Sequence, residues 1–253
     1  MTPFSLKIVT PDGIEFEGQV ESLTVRTTSG DLGVMAGHTN CVAPLGMGRA
    51  TVIQDGKRRY AACIGGMLSV MDGKVTLVPT TFEWAEDIDA EYPNLKELIE
   101  NMFDTMHHAQ GIGLAAPQIG LAIRLVVVDL DVLAEDEPEF KDFRRVYINA
   151  HIVETSDETD TMEEGCLSLP GIHEKVTRPS RIHVTYLDEN FVEHDEWVEG
   201  YLARVMQHEF DHLEGKVFSD RLSPLRRQMN KNKLGDLAKG RVYCDYKVKR
   251  VLR

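Results

Sequence analysis

Along the first third of the chain, apolar and polar residues alternate in short runs broken by turn dipeptides, the period of strands that bury one face. Residues 48–54 and 74–78 cluster β-branched side chains between such breaks. Asp12-Gly13, Asp55-Gly56 and Asp72-Gly73 each place a pair suited to positive φ between two runs, and each predicts a hairpin turn. The pattern predicts an all-β sandwich or barrel. The period then changes. Leu95, Leu98, Ile99, Met102, Phe103 and Met106 fall at helical spacing after Asn94, which is placed to cap with Glu97 three residues on. This is a core-packing helix whose methionines fill gaps. Strands are predicted over 124–129, 146–153 and 181–188, and a second helix over 198–213. The acidic stretches 135–139 and 157–160 read as solvated loops. The second part is therefore α+β, mainly antiparallel, with a central helix.

Length agrees with two units, because 253 residues exceed what one core usually organises. With 42% apolar and 27% charged residues, the chain can build compact cores and shows no wholesale disorder. A net charge of -13 argues against general nucleic-acid binding, so no specific nucleic-acid partner is expected. The start has no basic region followed by an apolar one, and the longest apolar run, Leu125-Val126-Val127-Val128, is strand-sized. No transmembrane segment is expected, and a cytoplasmic location is. Cysteines at 41, 63, 166 and 244 show no paired spacing, which fits a reducing compartment. Cys41 and Cys63 read as small buried hydrophobes and His38 as a structural loop residue.

The chemistry lies in three phrases. His208-Glu209-Phe210-Asp211-His212 puts two imidazoles four apart, which on a helix aims both at one cation. Glu164-Gly165-Cys166-Leu167-Ser168 offers a thiolate as third ligand, and Gly111-Ile112-Gly113-Leu114-Ala115-Ala116-Pro117-Gln118 offers a glycine-rich strand edge ending in an amide. Two imidazoles and a thiolate suit Zn²⁺ or Fe²⁺ and leave a fourth position open, the mark of a catalytic metal. Glu209 is not needed as a ligand and can take the proton of a water. The reaction class is hydrolysis of an amide or ester. A general metallopeptidase shares the His-Glu-x-x-His helix, but its usual third ligand is a downstream Glu or His, whereas Cys166 lies upstream.

With these phrases in the same order as the family has them, the chain from about Glu91 to the C-terminal tail resembles peptide deformylase, which removes the formyl group from the N-terminal methionine of bacterial nascent chains. Residues 92–106 resemble that family's first long helix. The resemblance implies formyl-methionyl nascent peptides as substrates and Cys166, His208 and His212 as ligands of one divalent metal. Fe²⁺ is the ion expected, with Zn²⁺, Ni²⁺ or Co²⁺ as alternatives. It implies Glu209 as the catalytic acid and base, with the Gln118 amide and the Leu167 backbone N–H at the formyl oxygen. Ile112, Gly113 and Gly165 would pair with the substrate peptide, while Ile112, Val205 and the His208 ring would line the methionine pocket. The basic tail, 224–253, can dock the ribosome in this family; its Val242, Tyr243, Tyr246 and Val248 could instead form an extra strand.

The first third resembles the β-sandwich domain of the epsilon subunit of bacterial ATP synthase. The resemblance rests on Leu6-Lys7-Ile8-Val9-Thr10-Pro11, on Gly30-Asp31-Leu32-Gly33-Val34-Met35-Ala36-Gly37-His38 and on Gly65-Gly66-Met67-Leu68-Ser69-Val70. It implies ATP synthase subunits as partners. The epsilon subunit continues into a helical hairpin after a segment like Trp84-Ala85-Glu86-Asp87-Ile88-Asp89; here the deformylase helix begins instead. The chain reads as a fusion, with 1–89 epsilon-like and 90–253 a deformylase-like metallohydrolase whose central helix binds the metal. The Asp-Pro-x-Leu-Arg-like stretch that opens deformylases is not found before Glu91, and residues 80–89, with Phe82 and Trp84, are expected to take its place. A rival reading is a catalytically impaired fusion acting as an epsilon-like subunit or interaction module.

Overall fold

The computed structural model describes residues 2–238 together with Arg241, Cys244 and Tyr246. The chain divides into two compact units, 1–86 and 87–253. Among the described residues the first unit contains β1 (Phe4–Thr10), β2 (Gly13–Val20), β3 (Ser22–Thr27), β4 (Gly30–Val34), β5 (Cys41–Gln54), β6 (Lys57–Ile64), β7 (Met67–Met71), β8 (Lys74–Val78) and β9 (Thr81–Trp84). They pair in the order β2-β1-β8-β7-β5-β3-β4, with β6 joining β5 to β9. β5 belongs to two layers, because residues 41–44 pair with β7 and 47–54 with β6. Alternate residues of the strands point inward, so Leu6, Ile8, Leu23, Val25, Val52, Leu68 and Leu77 are fully buried. This is the all-β unit that the period of two predicts.

Two of the three expected turns have the expected backbone. Asp55 and Gly56 have φ of 51° and 71°, and Asp72 and Gly73 have 49° and 76°, as primed hairpin turns require. At the first hairpin Thr10 pairs with Gly13, so the two loop residues are Pro11 and Asp12 and the glycine opens β2. Phe82 and Trp84 belong to this unit. Phe82 is buried in its core, with Trp84 edge-on at 5.0 Å.

Among the described residues the second unit contains α1 (Leu95–His108), β10 (Gly113–Ala115), β11 (Leu125–Asp129), β12 (Arg144–Thr155), β13 (Thr159–Gly165), β14 (His173–Pro179), β15 (Arg181–Leu187), β16 (Glu193–Glu199), α2 (Gly200–Leu213), α3 (Pro224–Met229) and α4 (Lys231–Ala238). An antiparallel sheet runs β10-β11-β12-β15-β16, and β13 pairs only with β14. The apolar run in β11 shows why this sheet has two covers. Leu125 and Val127 pack in the cluster of α1's Met102, Phe103 and Met106, whereas Val126 and Val128 pack with α2's Val205, Met206 and Phe210. The two helices thus take opposite faces. Ile88 joins the α1 cluster, and the Asn149 side chain holds its backbone on both sides, accepting from its N–H at 2.9 Å and donating to its carbonyl at 2.8 Å.

Three local expectations are corrected. Asn94 sits at φ 54°, ψ 30° with no side-chain cap bond, so the box with Glu97 does not form; asparagine tolerates this left-handed conformation, and the buried face of α1 supplies the drive to helix. The second helix starts at Gly200, because Val198 and Glu199 still pair with β15 as the end of β16. Asp160 is not in a solvated loop: it lies in β13 and its carboxylate meets Arg204. Val242, Tyr243 and Val248 lie outside the described residues. No helix among the described residues is long and apolar enough to cross a membrane.

Candidate active site

Helical spacing puts His208 and His212 on one face of α2, and the chain leaving β13 brings Cys166 to them. Their donor atoms lie within 4.8 Å of one another. Cys166 Sγ is 3.3 Å from His212 Nε2, close to the edge of a tetrahedron whose metal–ligand bonds are about 2.0–2.3 Å. The Nδ1 atom of His208 is 2.9 Å from Glu164 Oε2, which leaves Nε2 to face the cluster. Burial pushes the Cys166 thiol up, but hydrogen bonds with the two histidines and their charge outweigh it and hold the thiol at about 5. Burial lowers both imidazoles, and Cys166 more than reverses this in each, aided by Glu164 at His208. The cluster offers a thiolate and two imidazoles, and a divalent cation would bind them by displacing the imidazole protons.

Glu209 sits on the same helix turn and is fully enclosed. Its Oε2 atom meets no hydrogen-bond partner among the described residues. Burial raises its carboxyl well above the usual range, against the lowering effect of both histidines. A buried carboxylate oxygen without a partner is costly unless water or a cation meets it, so Glu209, like the three donor residues, fits a metal-and-water site.

The centre stands on buried ion pairs. Arg178, with no exposed side-chain surface, donates to Glu164 at 2.6 and 2.8 Å and to Asp211 Oδ2 at 2.7 Å. Arg204 adds a bond to Glu164 Oε1 at 2.9 Å, and Arg221 grips Asp211 at 2.6 and 2.5 Å. Burial would raise both carboxyls, but these arginines hold Glu164 and Asp211 well below the usual range. Removing one member of such a cluster leaves a buried charge uncompensated, at a cost of about 3–5 kcal/mol.

The family model for polypeptide deformylase matches residues 77–228. The chain belongs to that family. Its similarity to the peptide deformylase of Christiangramia forsetii is 44% identity over 178 residues, spanning 68% of this chain and 91% of the relative. With the Salinibacter ruber peptide deformylase it shares 48% over 156 residues, 60% of this chain and 80% of that one. Among solved structures, a peptide deformylase from Plasmodium falciparum superposes with TM-score 0.55 and 38% identity, covering 61% of this chain and 88% of the other. One from Legionella pneumophila gives 0.52 and 40%, covering 61% and 86%. Residues 3–85 match the model for the ATP synthase Delta/Epsilon chain beta-sandwich domain. Deformylases are metal-dependent hydrolases, and here a deformylase unit follows an epsilon-like one.

Within the deformylase unit, Gln118 and Gly113 lie beside the centre. Gln118 Oε1 accepts the Ala115 N–H at 2.8 Å, while its Nε2 lies 3.1 Å from Ser168 Oγ and 3.8 Å from Cys166 Sγ. Among the described residues β10 is the last strand of the sheet and pairs on one side only. The Ile112 carbonyl accepts the Asp129 N–H, so by alternation the peptide groups of Gly113 face the unpaired side. Gly165 closes β13 opposite His173, and Val205 is buried between α2 and the sheet. The glycines are needed by the protein's own side chains: a Cβ on Gly113 would stand 2.4 Å from Glu209 Oε1, and one on Gly111 would stand 2.8 Å from Leu167 Cδ1. Sequence reasoning missed Glu164, Arg178, Arg204, Asp211 and Arg221. Glu164 and Asp211 lay inside the quoted phrases; nothing local marks the arginines.

Proposed function

We propose that this chain hydrolyses the formyl amide of N-terminal formyl-methionine on nascent polypeptides. One observation carries the reading: a thiolate and two imidazoles meet beside a buried carboxylate that has one oxygen without a partner. Cys166, His208 and His212 hold one divalent metal, which we take to be Fe²⁺, with Zn²⁺, Ni²⁺ and Co²⁺ also suited to the donor set. When bound, that cation supplies Lewis acidity and lowers the pKa of water from about 15.7 toward about 7.

Glu209 takes a proton from the attacking water and later delivers it to the amine nitrogen of methionine, so formate and a free N-terminus leave together. Its raised carboxyl suits both halves of that transfer. The Gln118 amide and the Leu167 N–H receive the negative charge that develops on the formyl oxygen; losing one such donor costs about 2.7–4 kcal/mol of transition-state stabilisation. The substrate backbone adds to the open side of β10 at Gly113, with Ile112 and Gly165 beside it, and methionine enters between Ile112, Val205 and the His208 ring. We place the protein in the cytoplasm. Its basic C-terminal part, with Arg226, Arg227, Lys231 and Lys233 in α3 and α4, faces the ribosome, and the first unit offers a surface to ATP synthase subunits.

The test is formate release from formyl-Met-Ala-Ser by anaerobically purified protein, with a Glu209→Ala variant alongside and bound metal quantified. Release by the parent and not by the variant is expected. No formate from metal-loaded parent would overturn the reading and favour a catalytically impaired interaction module.

A further inference from the structure

Tyr246 lies against the chain that carries Cys166 and Leu167. The phenol donates a hydrogen bond to the Leu167 carbonyl oxygen at 2.7 Å. The Cys244 thiol donates to the Tyr246 carbonyl at 3.3 Å. The Leu167 carbonyl shares a peptide plane with the Ser168 N–H, and that N–H points at Cys166 Sγ, 3.4 Å away. One peptide group is thus held at both ends, by a phenol on its oxygen and by the sulfur on its nitrogen. Ser168 is fixed a second time by Gln118, whose Nε2 reaches its hydroxyl at 3.1 Å.

We propose that Tyr246 is a positioning residue: it holds the Leu167–Ser168 peptide so that Ser168 keeps its N–H on the Cys166 sulfur and Leu167 keeps its own N–H directed at the substrate oxygen. The catalytic half of this inference rests on the function proposed above. Four physical arguments support it. A peptide whose carbonyl accepts a bond becomes a better donor at its nitrogen, because hydrogen bonds in a chain polarise one another. Fixing this plane fixes ψ of Leu167, and with it the angle between the peptides on either side of that residue. Burial, and then the Cys244 and Cys166 sulfurs, push the phenol up, so it keeps the proton it donates. Leu167 itself is packed against Gly111, where a Cβ would come within 2.8 Å of its Cδ1, so the residue has little room to adjust.

The experiment compares the full-length parent with Tyr246→Phe, which keeps the ring and removes the hydroxyl. Two readouts are taken on the same Zn²⁺-loaded protein, whose ion is diamagnetic: the Ser168 amide resonance with its hydrogen exchange, and kcat and KM for formyl-Met-Ala-Ser. A shifted Ser168 resonance with faster exchange, kcat lower by about 3- to 10-fold and KM within about twofold are expected, the size of one lost hydrogen bond. An unchanged Ser168 amide overturns the clamp. A changed amide with unchanged kcat, or a loss confined to KM or to melting temperature, overturns the positioning role. A parent that releases no formate removes the catalytic half together with the deformylase reading, while the Ser168 resonance still decides whether the phenol holds the peptide.

Discussion

Inside α2, Glu209 keeps an ionisable carboxyl out of water with no hydrogen-bond partner for Oε2 among the described residues, an arrangement that favours chemistry over stability. Its raised pKa fixes the sign of the effect. The stability it contributes is present below the ordinary value of about 4.3 and is lost as pH rises through the raised one, so at neutral pH the charged form is a burden. Glu209→Gln is therefore expected to lower kcat by at least about 100-fold while its melting temperature equals or exceeds the parent's; formate release and calorimetry check both, and a fall in melting temperature would count against the reading. Glu164 acts one step further out. Glu164→Gln weakens the bond to His208 Nδ1, and metal affinity measured against a chelator should fall about 10- to 100-fold. At this scale the cluster of Cys166, His208 and His212 with Glu209 beside it was legible, because its members sit in two short contiguous phrases. Arg178, Arg204 and Arg221 were not, since which arginines become buried is decided by elements far apart in sequence.

Periodicity exposed the elements that bury a stripe of apolar residues and hid those that do not. α1 and β11 bury such surface and were readable from their spacing. β13 has one buried position, Glu164, and β16 has one, Val198; with polar residues at most other places, both resemble loops. Asp160 shows how the reading failed, for an acidic run normally stays in water, yet this carboxylate meets Arg204. Of the residues 80–89 expected to open the deformylase unit, Ile88 joins its core whereas Phe82 and Trp84 do not. Phe82 and Trp84 are bulky enough to cover a core, and they do, in the first unit. Ile88 covers α1, and its backbone bonds run to Asn149, at φ 53° in an irregularity of β12. Asn149→Ala removes both bonds and puts a Cβ residue without a polar side chain in a left-handed conformation. We expect a loss of about 2–4 kcal/mol, read as a lower melting temperature for the second unit; an unchanged value would mean that Ile88 is held by packing alone.

Across the molecule, ionisable groups are divided unequally between the two units, and pH should separate them. The buried charged residues, Arg124, Glu164, Arg178, Arg204, Glu209, Asp211 and His212, all lie in 87–253. Glu164 and Asp211 have carboxyls held below the usual range by their arginines. A depressed carboxyl contributes stability that is complete above its ordinary pKa, about 4.3 for Glu and 3.9 for Asp, and that is lost as pH falls toward the folded value. Glu209 has the opposite sign, and its burden is relieved as pH falls from its raised value to about 4.3, above the range in which Glu164 and Asp211 act. Calorimetry of the full chain below about pH 4, where Glu209 is protonated folded or unfolded and adds little slope, should therefore move the second unit's transition to lower temperature as pH falls. That transition is identified by its rise on adding metal, which binds the folded second unit. Glu164→Gln should flatten its pH dependence, because the glutamine has no proton to gain, although it melts lower at every pH. If the metal-responsive transition keeps the same slope in the variant, Glu164 is not the group that links acid to unfolding, and Asp211 with Arg178 and Arg221 must carry it.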